Sequence, residues 1–367
     1  MCAVATAAAA GALDIAHQPV GHEFRQDDMP ALAASPDGSL WLAWVSWVGD
    51  RDDVVLRHWK DGAWQNLHWV PGTSGDSWMP PVAVDARNRV WVVWTQQESG
   101  NWDLYARRFD PATQEWGGLQ RVSSHPLPDI NPRVAADGRG GFAVVWQGFR
   151  GAHSSILLRT FDGERWSPEI RVTERAANDW EPAAAFDSSG AVWTAYDSYQ
   201  NGHYDVFVKR VVGAKPGEEI PVAATPRSEV RPTVAVDAGG RVWVAWEAGA
   251  PNWGKDQGYV IRRGQAGAPL GGPREARVRV WENGTWRSPA QPLSAAFGRR
   301  RGIHQPHVID DGRGSVWVIA KILMSIQNPN GRGQRGYWDY WLTRYEGDRW
   351  AAAVSASSAA ISTGTRS

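Results

Sequence analysis

The side chains best equipped for chemistry recur between short apolar stretches of this chain. Carboxylates stand at Asp179, Glu181, Asp197 and Glu247, and histidines at His153, His203 and His304. Guanidinium and ammonium groups stand at Arg150, Arg231, Lys255 and Lys321, beside Gln97, Tyr199 and Asp256. Indoles at Trp47, Trp78, Trp102, Trp180, Trp253 and Trp338 fall among them, outside the regular tryptophan positions described below. A flat apolar face next to hydrogen-bond donors suits a sugar ring or a peptide side chain. Imidazoles that titrate near neutrality can act as general acid or base, so His203 and His304 are catalytic candidates together with Asp179, Glu181 and Asp197. Carboxylate pairs such as Asp179 with Glu181 would suit glycoside chemistry at the right separation, which sequence does not supply.

What must position these groups is a repeat. Prolines at Pro30, Pro80, Pro132, Pro182, Pro232 and Pro306 recur about every fifty residues, with a longer last gap. Five positions beyond them stand Ser35, Asp85, Asp137, Asp187, Asp237 and Asp311. Eight beyond stand Gly38, Asn88, Gly140, Gly190, Gly240 and Gly314, the residue types that accept positive φ, so each copy has a tight turn here. Trp41, Trp91, Ala143, Trp193, Trp243 and Trp317 follow at eleven, and Trp44, Trp94, Trp146, Tyr196, Trp246 and Ala320 at fourteen. The regular indoles read as packing between repeats. Four short β-type stretches fit each copy, and no helical periodicity competes. The expected fold is therefore all-β: a six-bladed β-propeller of four-stranded antiparallel blades, its ring closed by an amino-terminal strand drawn from Gln18 to Asp28.

The expected organisation is a leader over 1–13, a propeller over 14–355 and a patternless tail over 356–367, with an insertion over 247–275. In a blade whose strands run A to D from the channel outward, the Asp/Gly turns join A to B and C to D at one end. The B–C and D–A connections at the other end are expected to be longer and to carry the polar groups, and loops on a rigid framework are the usual place for binding residues. The insertion reads either as a lid bringing Trp253, Lys255 and Asp256 to a ligand or as a decorated loop with a local ion pair. Asp53, Asp103, Asp205 and Asp339 recur at the start of strand C and read as structural caps.

Composition narrows the classes. With 39 basic against 39 acidic residues there is no net field to draw nucleic acid, and a lone cysteine excludes a disulfide framework and paired-cysteine zinc sites. The acidic cluster Asp50, Asp52 and Asp53 lacks the ordered spacing of a calcium loop, so no metal and no cofactor are expected. No segment reaches the length of a membrane span, and the alanine-rich start with small residues at Ala8 and Ala10 reads as part of a signal peptide or as a disordered leader, giving a secreted or periplasmic monomer.

The pattern Pro-x4-Asp-x2-Gly-x2-Trp-x2-Trp, followed by a strand such as Tyr204-Asp205-Val206-Phe207, resembles the sialidase-like propellers of bacterial exported proteins over almost the whole chain. Sialidases place an Asp-box on the C–D turn and use an Arg-Ile-Pro, three arginines and a Tyr–Glu pair. Here Ser35-Pro36-Asp37-Gly38 has its glycine one place early and lies on the A–B turn, and no Arg-Ile-Pro occurs. The resemblance implies the fold. For function, the expectation is a propeller that binds a carbohydrate or polypeptide at the B–C and D–A end. The alternatives are a glycoside hydrolase or polysaccharide lyase at the same mouth, and a non-catalytic support for a separate catalytic partner.

Overall fold

The computed structural model describes residues 3–6, 14–17, 20–21, 24–73, 75–200, 202–250, 274–298, 302–327 and 334–356. The chain is a six-bladed β-propeller in which each blade is a sheet of four antiparallel strand positions. A single 3-10 turn, Leu293–Phe297, is the helical element of note among the described residues. The chain forms two compact units, one of residues 21–201 and 206–221 and one of 1–20, 202–205 and 222–367, and each is taken by itself below.

In the first unit the second strands of the second and third sheets are apolar on both faces, because each face meets a neighbouring sheet. Val90, Val92 and Trp94 pack with Trp41, Ala43 and Leu56 of the first sheet. Trp91 and Val93 pack with Phe142, Val144 and Trp146 of the third. Ala143 and Val145 pack with Val192, Tyr196 and Phe207 of the fourth. Since side chains alternate along a strand, positions eleven and fourteen point to opposite faces, so each full copy presents one indole to each neighbour. Burying one such side chain contributes roughly 1.5–3 kcal/mol, and the repeat supplies two per blade. In the second unit Trp243 and Ala245 pack in the same way against Val316, Val318 and Ala320.

The A–B turn explains the aspartate. Asp85 Oδ1 accepts the N–H groups of Arg87 and Arg89, while Oδ2 accepts Trp91 Nε1 at 3.0 Å. The same carboxylate-to-indole bond joins Asp187 to Trp193, Asp237 to Trp243 and Asp311 to Trp317. One side chain therefore closes the turn and fixes the rotamer of the packing indole. The slot eight beyond proline has positive φ in all six copies. At Gly140 a side chain is excluded twice, by φ 107° and by Ala86, whose Cβ would lie 2.0 Å from an added Cβ. Two copies depart. In the third, Ala143 offers no indole and Asp137 Oδ1 bonds three backbone N–H groups. In the first, Ser35 replaces the aspartate, and the Trp41 ring instead stacks on His58 at 3.9 Å. Burial lowers the His58 pKa, which keeps that imidazole neutral against the indole.

Every inner strand carries one extra residue. Register shifts fall between Asp28 and Ala31, Ile130 and Arg133, Trp180 and Ala183, Val230 and Thr233, and His304 and His307. In the second sheet the inner strand is split into Ser77–Trp78 and Val82–Val84 at the same place. The residue before each repeat proline is left-handed: Met29, Met79, Asn131, Glu181, Arg231 and Gln305 have φ between 46° and 55°. Such a bulge reverses which face each preceding side chain occupies.

Two sequence expectations are corrected here. The B–C connections are not long loops in the first two sheets: Val48 pairs with Arg51 and Glu98 with Asn101, leaving two-residue turns. The strands keep pairing beyond their apolar stretch, so Trp47, Gln97, Trp102, Asp197, Tyr199 and Glu247 stand toward strand ends, and Lys321 and Trp338 stand within the two long strands of the last hairpin. Asp179, Trp180, Glu181, Arg231 and His304 likewise begin inner strands rather than ending loops. Among the described residues no amino-terminal strand pairs with the last sheet. Gln26–Asp28 pair within the first sheet, and the sixth is completed by Arg349–Trp350 and Val354–Ser355. After the tight turn at Gly347 the chain folds back on its own long third strand and satisfies that edge. Ala3–Thr6 pairs separately with Asp14–His17.

Asp85 is almost wholly buried and also holds the Arg89 guanidinium, whereas Asp311 makes its turn and indole bonds in the open. Asp85→Ala is expected to cost about 3 kcal/mol and Asp311→Ala under about 1 kcal/mol in urea unfolding. Equal costs would mean that burial does not set the strength of this bond.

Candidate functional site

The densest polar cluster of the second unit surrounds Glu247. This carboxylate is fully buried near the end of the second strand of the fifth sheet, cross-strand from Val230 and Ala276. Its Oε2 takes Arg274 Nη1 at 3.0 Å and Arg231 Nη1 at 3.4 Å. Its Oε1 accepts the backbone N–H of Gln305 at 2.6 Å. Gln305 and Arg231 are the left-handed residues of their bulges, so the irregularity that takes Gln305 out of the ladder frees its N–H for this carboxylate. A buried carboxylate needs such compensation, and two guanidinium groups with one amide supply it.

His304 lies beside this cluster, its Nδ1 4.0 Å from Glu247 Oε2. Burial, helped by the positive charges of Arg274, Arg231 and Lys321 and opposed by Glu247, lowers its pKa to about 4. At neutral pH the ring is uncharged, and its buried Nδ1 has no hydrogen-bond partner among the described residues. The Trp338 ring stands edge-on to it at 5.0 Å, and Lys321 Nζ sits 4.9 Å from that indole's centroid. Lys321 is cross-strand from both His304 and Tyr340, and Leu323 from Trp338, so these residues share one face of the long hairpin formed by Val316–Gln327 and Gln334–Glu346. Trp338, Tyr340 and Leu323 are all exposed there. The result is an apolar, aromatic face beside Arg231, Arg274 and Lys321, against which the described residues set one central carboxylate and a neutral imidazole. Such an arrangement favours an anionic group joined to a flat apolar surface.

The other expected residues have definite places. In the second unit His203 Nε2 lies 3.4 Å from Asp205. Trp253, Lys255 and Asp256 lie outside the described residues. In the first unit Arg150 is held by Asp129 and Glu169. Asp179, raised in pKa chiefly by burial, is paired with Arg175, which also binds Glu219. Tyr196 donates to Glu219, and burial and that carboxylate push the phenol's pKa far up. Asp197 is fully buried opposite Trp180, whose ring meets Phe149 edge-on at 6.4 Å. Glu181 is the left-handed residue of its bulge, and Tyr199 is cross-strand from Asn178. Trp47 is exposed, Gln97 and Trp102 are cross-strand partners, and Trp78 meets Trp102 at 6.2 Å. Asp53, Asp103 and Asp339 are buried and bonded to Arg25, Arg121 and Trp341. No group of three or more His, Cys, Asp or Glu side chains able to hold a metal occurs among the described residues.

Sequence reasoning missed Arg274 and the Gln305 amide. Arg274 follows an insertion whose length hides its register, although the pairing of Ala248 with Glu275 places it next to Glu247 once the hairpin is known. A backbone N–H leaves no trace in residue type.

No protein-family model matches the chain, and no curated protein matches it by sequence. Solved structures do share its fold. A protein of unknown function from Dyadobacter fermentans is 14% identical, with TM-score 0.54 over 88% of this chain and 95% of that one. A polysaccharide lyase, an ulvan lyase bound to a saccharide of glucuronic acid and sulfated rhamnose, is 12% identical, with TM-score 0.57 over 90% of this chain and 84% of that one. A microbial sialidase is 11% identical with TM-score 0.44, over 86% of this chain and 69% of that one. The chain thus shares its propeller fold with solved structures that include a polysaccharide lyase. No helix among the described residues is long and apolar enough to cross a membrane.

In an NMR titration His304 is expected to stay neutral down to about pH 5 and to protonate near 4. Arg274→Met should move that midpoint upward, because it removes a neighbouring positive charge. A midpoint that falls or stays put would show that Arg274 does not act on the imidazole.

Proposed function

We propose that the chain engages an acidic carbohydrate, with the anionic group at Arg231, Arg274 and Lys321 and a sugar ring on the face formed by Trp338 and Tyr340. The observation that carries this reading is the convergence of Arg231 and Arg274 at Glu247 with Lys321 and the exposed aromatic face of Trp338 alongside. Glu247 positions the two guanidinium groups beside that face. Guanidinium groups suit carboxylates and sulfates because paired N–H groups match paired oxygens. The likeness to a lyase bound to a uronate saccharide supports a carbohydrate over a polypeptide. A polymeric ligand of this class is met outside the cytoplasm, which supports the secreted or periplasmic reading.

A second reading, turnover of that carbohydrate, is favoured by His304. A buried imidazole that is unprotonated at neutral pH can accept the proton next to a carboxylate group once the bound anion offsets the neighbouring positive charge, and those cations would stabilise the developing enolate. In such an elimination His304 takes the proton next to the carboxylate, the C–O bond to the leaving sugar breaks, water protonates the departing oxygen, and a carbon–carbon double bond remains in the uronate ring.

Calorimetry against uronate oligosaccharides and their carboxyl-reduced counterparts tests the first reading. The acidic ligands are expected to bind at least tenfold more tightly, and Lys321→Ala should weaken them by about fivefold and Trp338→Ala by about tenfold. Equal affinity for the reduced ligands would end it. Turnover is checked on the same panel by ultraviolet absorbance of the unsaturated product, which should vanish in His304→Gln.

A further inference from the structure

In the first unit, at the ends of the first and second sheets, two indoles meet at nearly a right angle. Trp78, 48% exposed, and the partly exposed Trp102 have ring centroids 6.2 Å apart and planes at 73°. Two perpendicular walls of this kind are more than a stacking platform. They present electron-rich faces to one shared corner, the geometry that holds a small organic cation.

Carboxylates stand at the same strand ends. Asp52 Oδ2 accepts the backbone N–H of Ser77, the residue before Trp78. The Asp76 carbonyl accepts the N–H of Gln97, the cross-strand partner of Trp102. Asp76 and Asp53 act on Asp52 as repelling charges, which, after burial, help to raise its pKa. The surrounding cations are already engaged: Arg25 and Arg51 bind Asp53, Arg121 binds Asp103, and Arg133 binds the Pro132 carbonyl and the Met79 sulfur. Neither Asp52 nor Asp76 forms an ion pair among the described residues, while their neighbours Asp53 and Asp103 both do.

We propose that Trp78 and Trp102, with Asp52 and Asp76, form an open half-cage for an alkylammonium group. The indoles supply quadrupole attraction and apolar contact for the carbon atoms next to nitrogen, and the two carboxylates supply the opposite charge. The site is separate in its residues and opposite in its charge preference from the cluster around Glu247, so neither reading depends on the other. Lysine side chains and amino sugars share this chemistry.

Isothermal titration calorimetry on the full chain would use tetramethylammonium, an N-acetyl-lysine amide, glucosamine and, as the neutral control, neopentyl alcohol. The cations are expected to bind about fivefold or more tightly than the neutral isostere. Trp102→Ala should abolish the preference, and Asp52→Asn with Asp76→Asn should reduce it by a similar factor. Trp102→Phe, which keeps a ring, should retain part of it and shows that loss in the alanine variant is not unfolding. Binding of the lysine amide alone identifies a polypeptide source, and binding of glucosamine alone a carbohydrate source. Equal affinity for the neutral control, absence of cation binding, or an unchanged preference in the doubly neutralised variant would overturn the proposal.

Discussion

One extra residue in each inner strand, placed just before a proline, governs what the strand ends present. Proline cannot donate to the ladder, and the residue before it is held left-handed in every copy, a conformation that costs of order 1–3 kcal/mol for a residue with a side chain. The buried indoles on either side of each sheet supply the surplus that offsets this strain. Its effect is geometric: residues before the bulge change faces relative to those after it, and at least one backbone N–H leaves the ladder.

The cluster around Glu247 shows the consequence. Without the left-handed Gln305 its amide would not reach Oε1, and without the left-handed Arg231 the guanidinium would start from a different face of the strand. Glu247 in turn holds Arg231 and Arg274 together, and burial, helped by their charge and that of Lys321, keeps His304 neutral. Backbone strain, a buried carboxylate and a depressed imidazole pKa are thus consecutive links of one arrangement. In the first unit, by contrast, the arginines near the strand ends are paired internally, Arg150 with Asp129 and Arg175 with Asp179, which leaves those guanidinium groups committed.

Much of the fold could be read from residue types alone, because the turn chemistry is local. Asp85, Asn88 and Trp91 declare a turn within seven residues, and the structure joins the first and last of them by a hydrogen bond. The strand ends were less legible. Trp47, Gln97 and Asp197 look like loop residues because polar side chains end the apolar run, yet the backbone goes on pairing beyond it. Lys321, Trp338, His304, Arg231 and Glu247 were recognisable as polar or aromatic groups at one end of their blades. Their convergence was not, since it depends on a bulge that shifts register and on Arg274, which an insertion separates from its partner.

The most direct measurement is an experimental structure of the chain with a uronate oligosaccharide. The account predicts the ligand carboxylate within hydrogen-bond distance of Arg231 or Arg274, a sugar ring against Trp338, and Gln305 still left-handed with its amide on Glu247. A ligand bound elsewhere, or an inner strand of the sixth sheet without the bulge between His304 and His307, would contradict it.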